Sequence, residues 1–124
     1  MTKEQKELLI KDLCCRLPYG VKFNFKYAES SSEIMRAIYL QNYMIINSKD
    51  YSCEINDIKP YLFPMSSMTE ELREEHKDLL DNQYSFDANG NVFTLQDFYC
   101  KYHIDYRGLI SMGLALDATG LKIY

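Results

Sequence analysis

Tryptophan is absent from these 124 residues, and histidine occurs only twice. No stretch approaches the roughly twenty consecutive apolar residues that a membrane span requires. No lysine or arginine run occurs either; the densest basic stretch is Lys22 with Lys26, and the net charge is −4. Long-range attraction to phosphate backbones or anionic membranes is therefore not expected. The stretch MTKEQKELLIKDL is charged and amphipathic, without the apolar centre and small-residue cleavage site of a signal peptide, so a cytoplasmic location is expected. The chain has no C-x-x-C, no H-x-x-x-H, no nucleophile elbow, no glycine-rich oxyanion loop, no internal repeat and no low-complexity segment.

What is present describes a globular protein. Hydrophobic residues make up 47%, aromatic residues 14% and charged residues 26%, a composition able to build one core at this length. Eleven tyrosines and six phenylalanines supply bulk together with hydroxyl groups. A single domain over 1–124 is expected, divided into an N-terminal helix (1–18), a small sheet (19–64) and a helical C-terminal lobe (65–124). With no secretion signal, Cys14, Cys15, Cys53 and Cys100 read as buried free thiols.

The first helix begins at a capping box, Thr2-x-x-Gln5. Leu9, Ile10, Leu13, Cys14 and Leu17 then recur at helical spacing, while Lys3, Glu4, Lys6, Glu7, Lys11 and Asp12 fall on the wet face. After Pro18 and Gly20 the period changes to two: Val21, Phe23, Phe25 and Tyr27 alternate with Lys22, Asn24 and Lys26. The polar stretch 29–33 reads as a flexible loop. Strands follow at 34–40, 43–47 and 51–55, with gaps short enough for antiparallel hairpins. Four short strands need closure or a covering helix, so the expected class is α+β with a strongly bent, SH3-like antiparallel sheet or barrel. Pro60 and Pro64 are expected to end the sheet, with Ile58, Leu62 and Phe63 in a buried helical turn. Ser66, Ser67 or Thr69 caps a largely exposed helix to about Asp81, its thin stripe formed by Leu72, His76, Leu79 and Leu80. Asn89-Gly90 marks a tight turn with extended flanks. Thr94-x-x-Asp97 opens another helix with Leu95, Phe98, Tyr99 and Tyr102 on one face. Asp105 caps a short further helix, YRGLISM, ended by Gly113. The tail 114–124 carries too few signals to assign.

Three stretches, KDLCCRLPYGVK (11–22), INDIKPYLFPMSSMTEE (55–71) and HIDYRGLISMGLALDATG (103–120), resemble a family of short uncharacterised proteins of gut Bacteroidales genomes and their phages or mobile elements. Many such proteins carry two consecutive histidines where this chain has Tyr102-His103. The resemblance implies a bacterial or phage origin; it implies no catalytic residue and no cofactor.

The densest chemistry lies in CKYHIDYRG, residues 100–108. Cys100 and His103 stand i,i+3 on a helix, but zinc needs two more ligands, drawn here from Cys14, Cys15, Cys53 or His76 over long range. No metal site is expected, and buried thiols account for the same residues. A nucleophilic reading makes Cys100 a thiolate served by His103 and Asp105, although Asp105 is better placed as a helix cap. His103 with Arg107 suggests acid chemistry on a phosphodiester, which the acidic balance opposes. The turn DANGN fails as a calcium loop, because its twelfth position from Asp87 is Phe98. Arg107 reads as a structural donor to a carboxylate or carbonyls, with Tyr106 packed beneath it. Tyr19, Tyr27, Tyr39, Tyr43 and Tyr51, with Lys22 or Lys26, form a candidate nucleic-acid surface, set against the plainer reading that alternate aromatics fill the core. Met44, Met65, Met68 and Met112 suit either a partner surface or core filling. The expected function is a non-enzymatic accessory or protein-interaction module with an unknown protein partner and no membrane association. A small nucleic-acid-binding module comes second, and an enzyme using His103, Asp105 and Arg107 third.

Overall fold

The computed structural model describes residues 1–28, 31–41, 44–47 and 52–124. The class is α+β: an N-terminal helix, a mostly antiparallel sheet and a C-terminal lobe containing further helices.

Helix α1 (Lys3–Arg16) starts at the Thr2 capping box, Gln5 returning its side chain to the Thr2 amide. Its inward face differs from the apolar stripe. Leu9 and Leu13 are buried, but so are Asp12 and Arg16, while Cys14 is exposed. Asp12 and Arg16 lie one turn apart, so each neutralises the other where the helix meets the C-terminal lobe. Gly20 then takes φ +71°, a left-handed value that a side chain would strain, and turns the chain into the sheet.

Five strands form the sheet's main body: β1 (Lys22–Ala28), β2 (Ser31–Gln41), β3 (Met44–Asn47), β4 (Ser52–Glu54) and β5 (Ile58–Leu62). They run antiparallel in the order β4-β3-β2-β1-β5. Phe23 faces Met35 on one neighbour and Pro60 on the other, and Ile45 faces Cys53. Register shifts interrupt β1 between Lys26 and Ala28 and the long β2 between Ala37 and Tyr39, the places where a ladder bends.

Three segments correct the sequence reading here. Ser31–Glu33 belong to β2 and not to a loop. Residues 58–62 form a strand in place of a helical turn, and Pro60 lies inside it. A short apolar run does not declare its period, so pairing with β1 decided the outcome. Residues 106–112 form successive turns without a helix. Asp105 accepts from the amides of Leu109 and Ile110, too far along the chain for a helix cap, and Gly108 at φ +75° interrupts helical geometry.

The C-terminal lobe contains α2 (Glu70–Asn82), the hairpin β6 (Tyr84–Phe86) with β7 (Val92–Thr94), and α3 (Leu95–Lys101). Thr69 caps α2, and only Leu79 of that helix is fully buried. Asp87 closes the hairpin by accepting from the amides of Asn89 and Asn91. The tail supplies β8 (Leu116–Asp117), which lies parallel to β5 at the sheet's margin.

Two cores result. The larger joins α1 to the sheet through Leu9, Leu13, Val21, Phe23, Ile45 and Leu62; each such side chain contributes roughly 1.5–3 kcal/mol over leaving it exposed. The smaller gathers Leu79, Phe98, Tyr99 and Ile104.

Candidate functional site

Residues 100–108 sit where the two cores meet, and most of their chemistry is committed there. Cys100 is bonded to Cys15 of α1, with Cα atoms 5.9 Å apart. The expected buried thiols are thus corrected: one pair is oxidised, Cys14 is exposed and Cys53 is buried. Helical spacing on α1 and α3 brings together sulfurs that lie 85 residues apart in sequence, something no local pattern announces. In this form Cys100 is no nucleophile, because attack requires a thiolate.

Arg16 is the centre of the junction. Its Nε and Nη2 donate to Asp12 at 2.8 and 3.1 Å, Nη1 to the Tyr99 carbonyl at 3.2 Å, and Nη2 to the Ile104 carbonyl at 2.6 Å. Both members of the pair have no exposed side-chain surface. Arg107 completes the cluster, its Nε donating to Asp12 at 3.2 Å with the guanidinium 4.7 Å above the Tyr106 ring. The structural role read for Arg107 is what its contacts describe, the carboxylate coming from α1. Asp105 spends both oxygens on the amides of Leu109 and Ile110. Backbone bonds from Phe63 to His103 and from Asp105 to Phe63, each 2.8 Å, tie the segment to the end of β5.

His103 stands apart from these groups. It is 6% exposed, takes φ +56°, and leaves Nδ1 without a hydrogen-bond partner among the described residues. Burial, reinforced by the positive charges of Arg16 and Lys22, pulls its pKa down to about 4 against the opposing effect of a hydrogen bond to the Tyr19 backbone. The imidazole is therefore neutral near pH 7. The ring of Tyr124 lies parallel to it, with centroids 4.0 Å apart. Although 42% of Tyr124 is exposed, its hydroxyl is enclosed: it donates to the Tyr61 carbonyl at 2.7 Å and accepts from the Lys22 amide at 2.8 Å. That burial pushes the phenol up to about 12.

His103 and Tyr124 form part of the wall of a cavity of about 520 Å³. Tyr19 and Phe63 add aromatic surface from the sheet side, and Met68, Thr69 and Leu72 close it from the start of α2. Lys101 and Tyr102 stand on the α3 side, with the Lys101 ammonium 5.6 Å from the Phe93 ring and 5.3 Å from the Tyr102 ring. Asp105 and Arg107 are not among its walls, so the three residues of the enzymatic reading do not meet in this cavity.

Of the tyrosines proposed for a nucleic-acid surface, Tyr19 lines the cavity and Tyr39 is exposed on β2. Tyr43 and Tyr51 lie outside the described residues, as do the side chains of Tyr27, Lys26 and Met44. Among the described residues no group of three His, Cys, Asp or Glu side chains could hold a metal ion, and no helix is long and apolar enough to cross a membrane. The sequence reading missed Asp12, Arg16 and Tyr124. An opposite-charge i,i+4 pair beside the apolar stripe was the available signal for the first two; Tyr124 had none.

No family model matches the chain, and neither curated proteins nor solved structures yield a match.

Proposed function

We propose that this chain is a non-enzymatic accessory module of a bacterial or phage genome that acts in the cytoplasm by binding another protein. The supporting observation is the outer face of the β6–β7 hairpin. Tyr84 and Phe86 alternate on one side of β6 with rings 5.7 Å apart, and Val92 sits opposite Phe86 on the same face. All three are more than half exposed, as is Leu80 near the end of α2. Exposed aromatic residues clustered on a face of this kind suit a partner. Residues 70–97 carry eight carboxylates against two basic side chains, so the fitting partner presents a basic rim around apolar side chains.

The antiparallel body supports an SH3-like reading. Its fifth strand, reached through the short turn Ile55–Asp57, returns beside the first, and its second is long and bent. The commitment of Cys100, Asp105 and Arg107 to a disulfide, two amides and an ion cluster speaks against catalysis by that group.

The test compares proteins captured from the native host by the wild type and by Phe86→Asp, with melting temperatures as a control for folding. Loss of one specific partner from a folded variant is expected. An unchanged set of captured proteins would remove the reading. A nucleic-acid role is the second reading, favoured by exposed Tyr39 on the sheet; salt-dependent binding of single-stranded oligonucleotides would bring it forward.

A further inference from the structure

The cavity between the sheet and the C-terminal lobe is separate from the hairpin face and differs from it in charge. Its volume of about 520 Å³ falls among those that hold small molecules. The rings of Tyr19, Phe63, Tyr102 and Tyr124 make up much of its wall, and Met68 and Leu72 add apolar surface from the start of α2. Walls of this kind favour a flat, apolar body.

The polar groups among these walls are mostly engaged. The Ser67 hydroxyl donates to the Pro64 carbonyl, the Thr69 hydroxyl accepts from the Leu72 amide, and the Tyr102 hydroxyl donates to Glu75. The Tyr124 hydroxyl donates to the Tyr61 carbonyl. Lys101 differs. Among the described residues its ammonium has neither a hydrogen bond nor an ion pair, and it lies 5.3 Å from the Tyr102 ring and 5.6 Å from the Phe93 ring. Ring faces attract a cation without supplying a counter-charge. Lys101 is exposed, so its charge stands at the cavity's edge within reach of solvent. Among the described residues no carboxylate side chain belongs to the walls.

One cation beside apolar rings suits one anionic group on an apolar molecule. A multiply charged group such as a phosphate ester is opposed by residues 70–97, where eight carboxylates outnumber two basic side chains. We propose that this cavity binds a small aromatic monocarboxylate, its ring body against the tyrosine and phenylalanine walls and its carboxylate at the mouth beside Lys101. There the carboxylate keeps part of its hydration, so burial of the body supplies most of the affinity and the ion pair supplies selectivity.

The probes 2-naphthoate, 2-naphthamide and 2-naphthamidine share a body and carry a negative charge, no charge and a positive charge. Each is titrated at pH 7 into the wild-type chain and into Lys101→Met. The amide resonances of Phe63, Leu72 and Ile104 report on the cavity, and those of Tyr84 and Phe86 on the hairpin. Naphthoate is expected to bind the wild type saturably at the cavity resonances, about fivefold more tightly than the amide, the scale of an ion pair in contact with solvent. The amidine is expected to be weakest there. A net charge of −4 disfavours anions in general, so this order reports the local cation. Lys101→Met is expected to bring naphthoate down to the affinity of the amide and to leave the amide's own affinity unchanged. No saturable binding of naphthoate, an acid bound no more tightly than its amide, a preference that survives Lys101→Met, or shifts confined to Tyr84 and Phe86 overturns the proposal. Replacing an exposed lysine puts little of the fold at risk, and the three-probe order in the wild type stands without the variant.

Discussion

The two cores of this protein are built by different means. Around the sheet, apolar side chains supply most of the cohesion: α1 and four antiparallel strand pairings enclose a continuous set from Leu9 to Ala115. The smaller core has four buried residues, to which α2 commits a single buried side chain, while Leu109, Leu114 and Ala115 of the C-terminal lobe join the larger core. The lobe is also held to the rest through polar and covalent links: the Cys15–Cys100 bond, the Asp12–Arg16–Arg107 cluster and the backbone exchange between Phe63 and residues 103–105. Hydrophobic burial tolerates small displacements, whereas hydrogen-bonded charges in a dry junction are costly when one partner is removed. The lobe is therefore the part most sensitive to single substitutions at its attachment.

Asp12→Ala tests this contrast most severely. It leaves Arg16 buried without a counter-charge, and a loss of about 3–5 kcal/mol is expected, measured by denaturant titration. Cutting the Cys15–Cys100 link by reduction or by Cys15→Ser should cost about 2–4 kcal/mol, with amide exchange accelerating in α3 and α2 before the strands. If exchange accelerates uniformly, the two regions do not differ as described. The redox state of that pair in cells also tests the cytoplasmic assignment, because a reducing compartment would hold it as thiols.

Acidification probes the same junction through His103. Its folded pKa of about 4 lies below the ordinary value of 6.5, so between these values the unfolded chain binds a proton that the folded chain refuses. Stability contributed by the neutral ring is complete above about pH 6.5 and falls as the pH drops toward 4, by up to about 3 kcal/mol. Stability measured against pH in wild type and His103→Phe isolates this component; identical slopes would refute it. Arg107→Ala removes one hydrogen bond to a carboxylate that keeps Arg16, so a smaller loss of about 1.5 kcal/mol is expected. Phe86→Asp on the exposed hairpin face should change stability by no more than about 0.5 kcal/mol. A large loss there would mean that the hairpin supports the lobe.

Legibility in the sequence followed the same division. Capping boxes at Thr2 and Thr94, the cap at Thr69 and the Asn89-Gly90 turn are local chemistry, and each is found in place. The alternation from Val21 to Phe25 placed β1 for the same reason. Residues 58–62 went astray because a short apolar run containing proline suits either a turn of helix or a strand, and only the edge of β1 chose between them. In the candidate site, a structural duty for Arg107 was readable from its donors and its aromatic neighbour, but the partner carboxylate 95 positions away was not.

What the amino-acid order by itself determined is the set of local elements: the capped helices, the alternating strand, the hairpin turn and the α+β class they add up to. Those outcomes depend on backbone preferences and side-chain spacing within a few residues, which the order of residues states directly. The tertiary structure alone decided that Asp12 is buried, that Cys15 meets Cys100, and that Tyr124 covers the imidazole of His103. Each depends on which surfaces of distant elements exclude water together, and that is settled only when the whole chain packs.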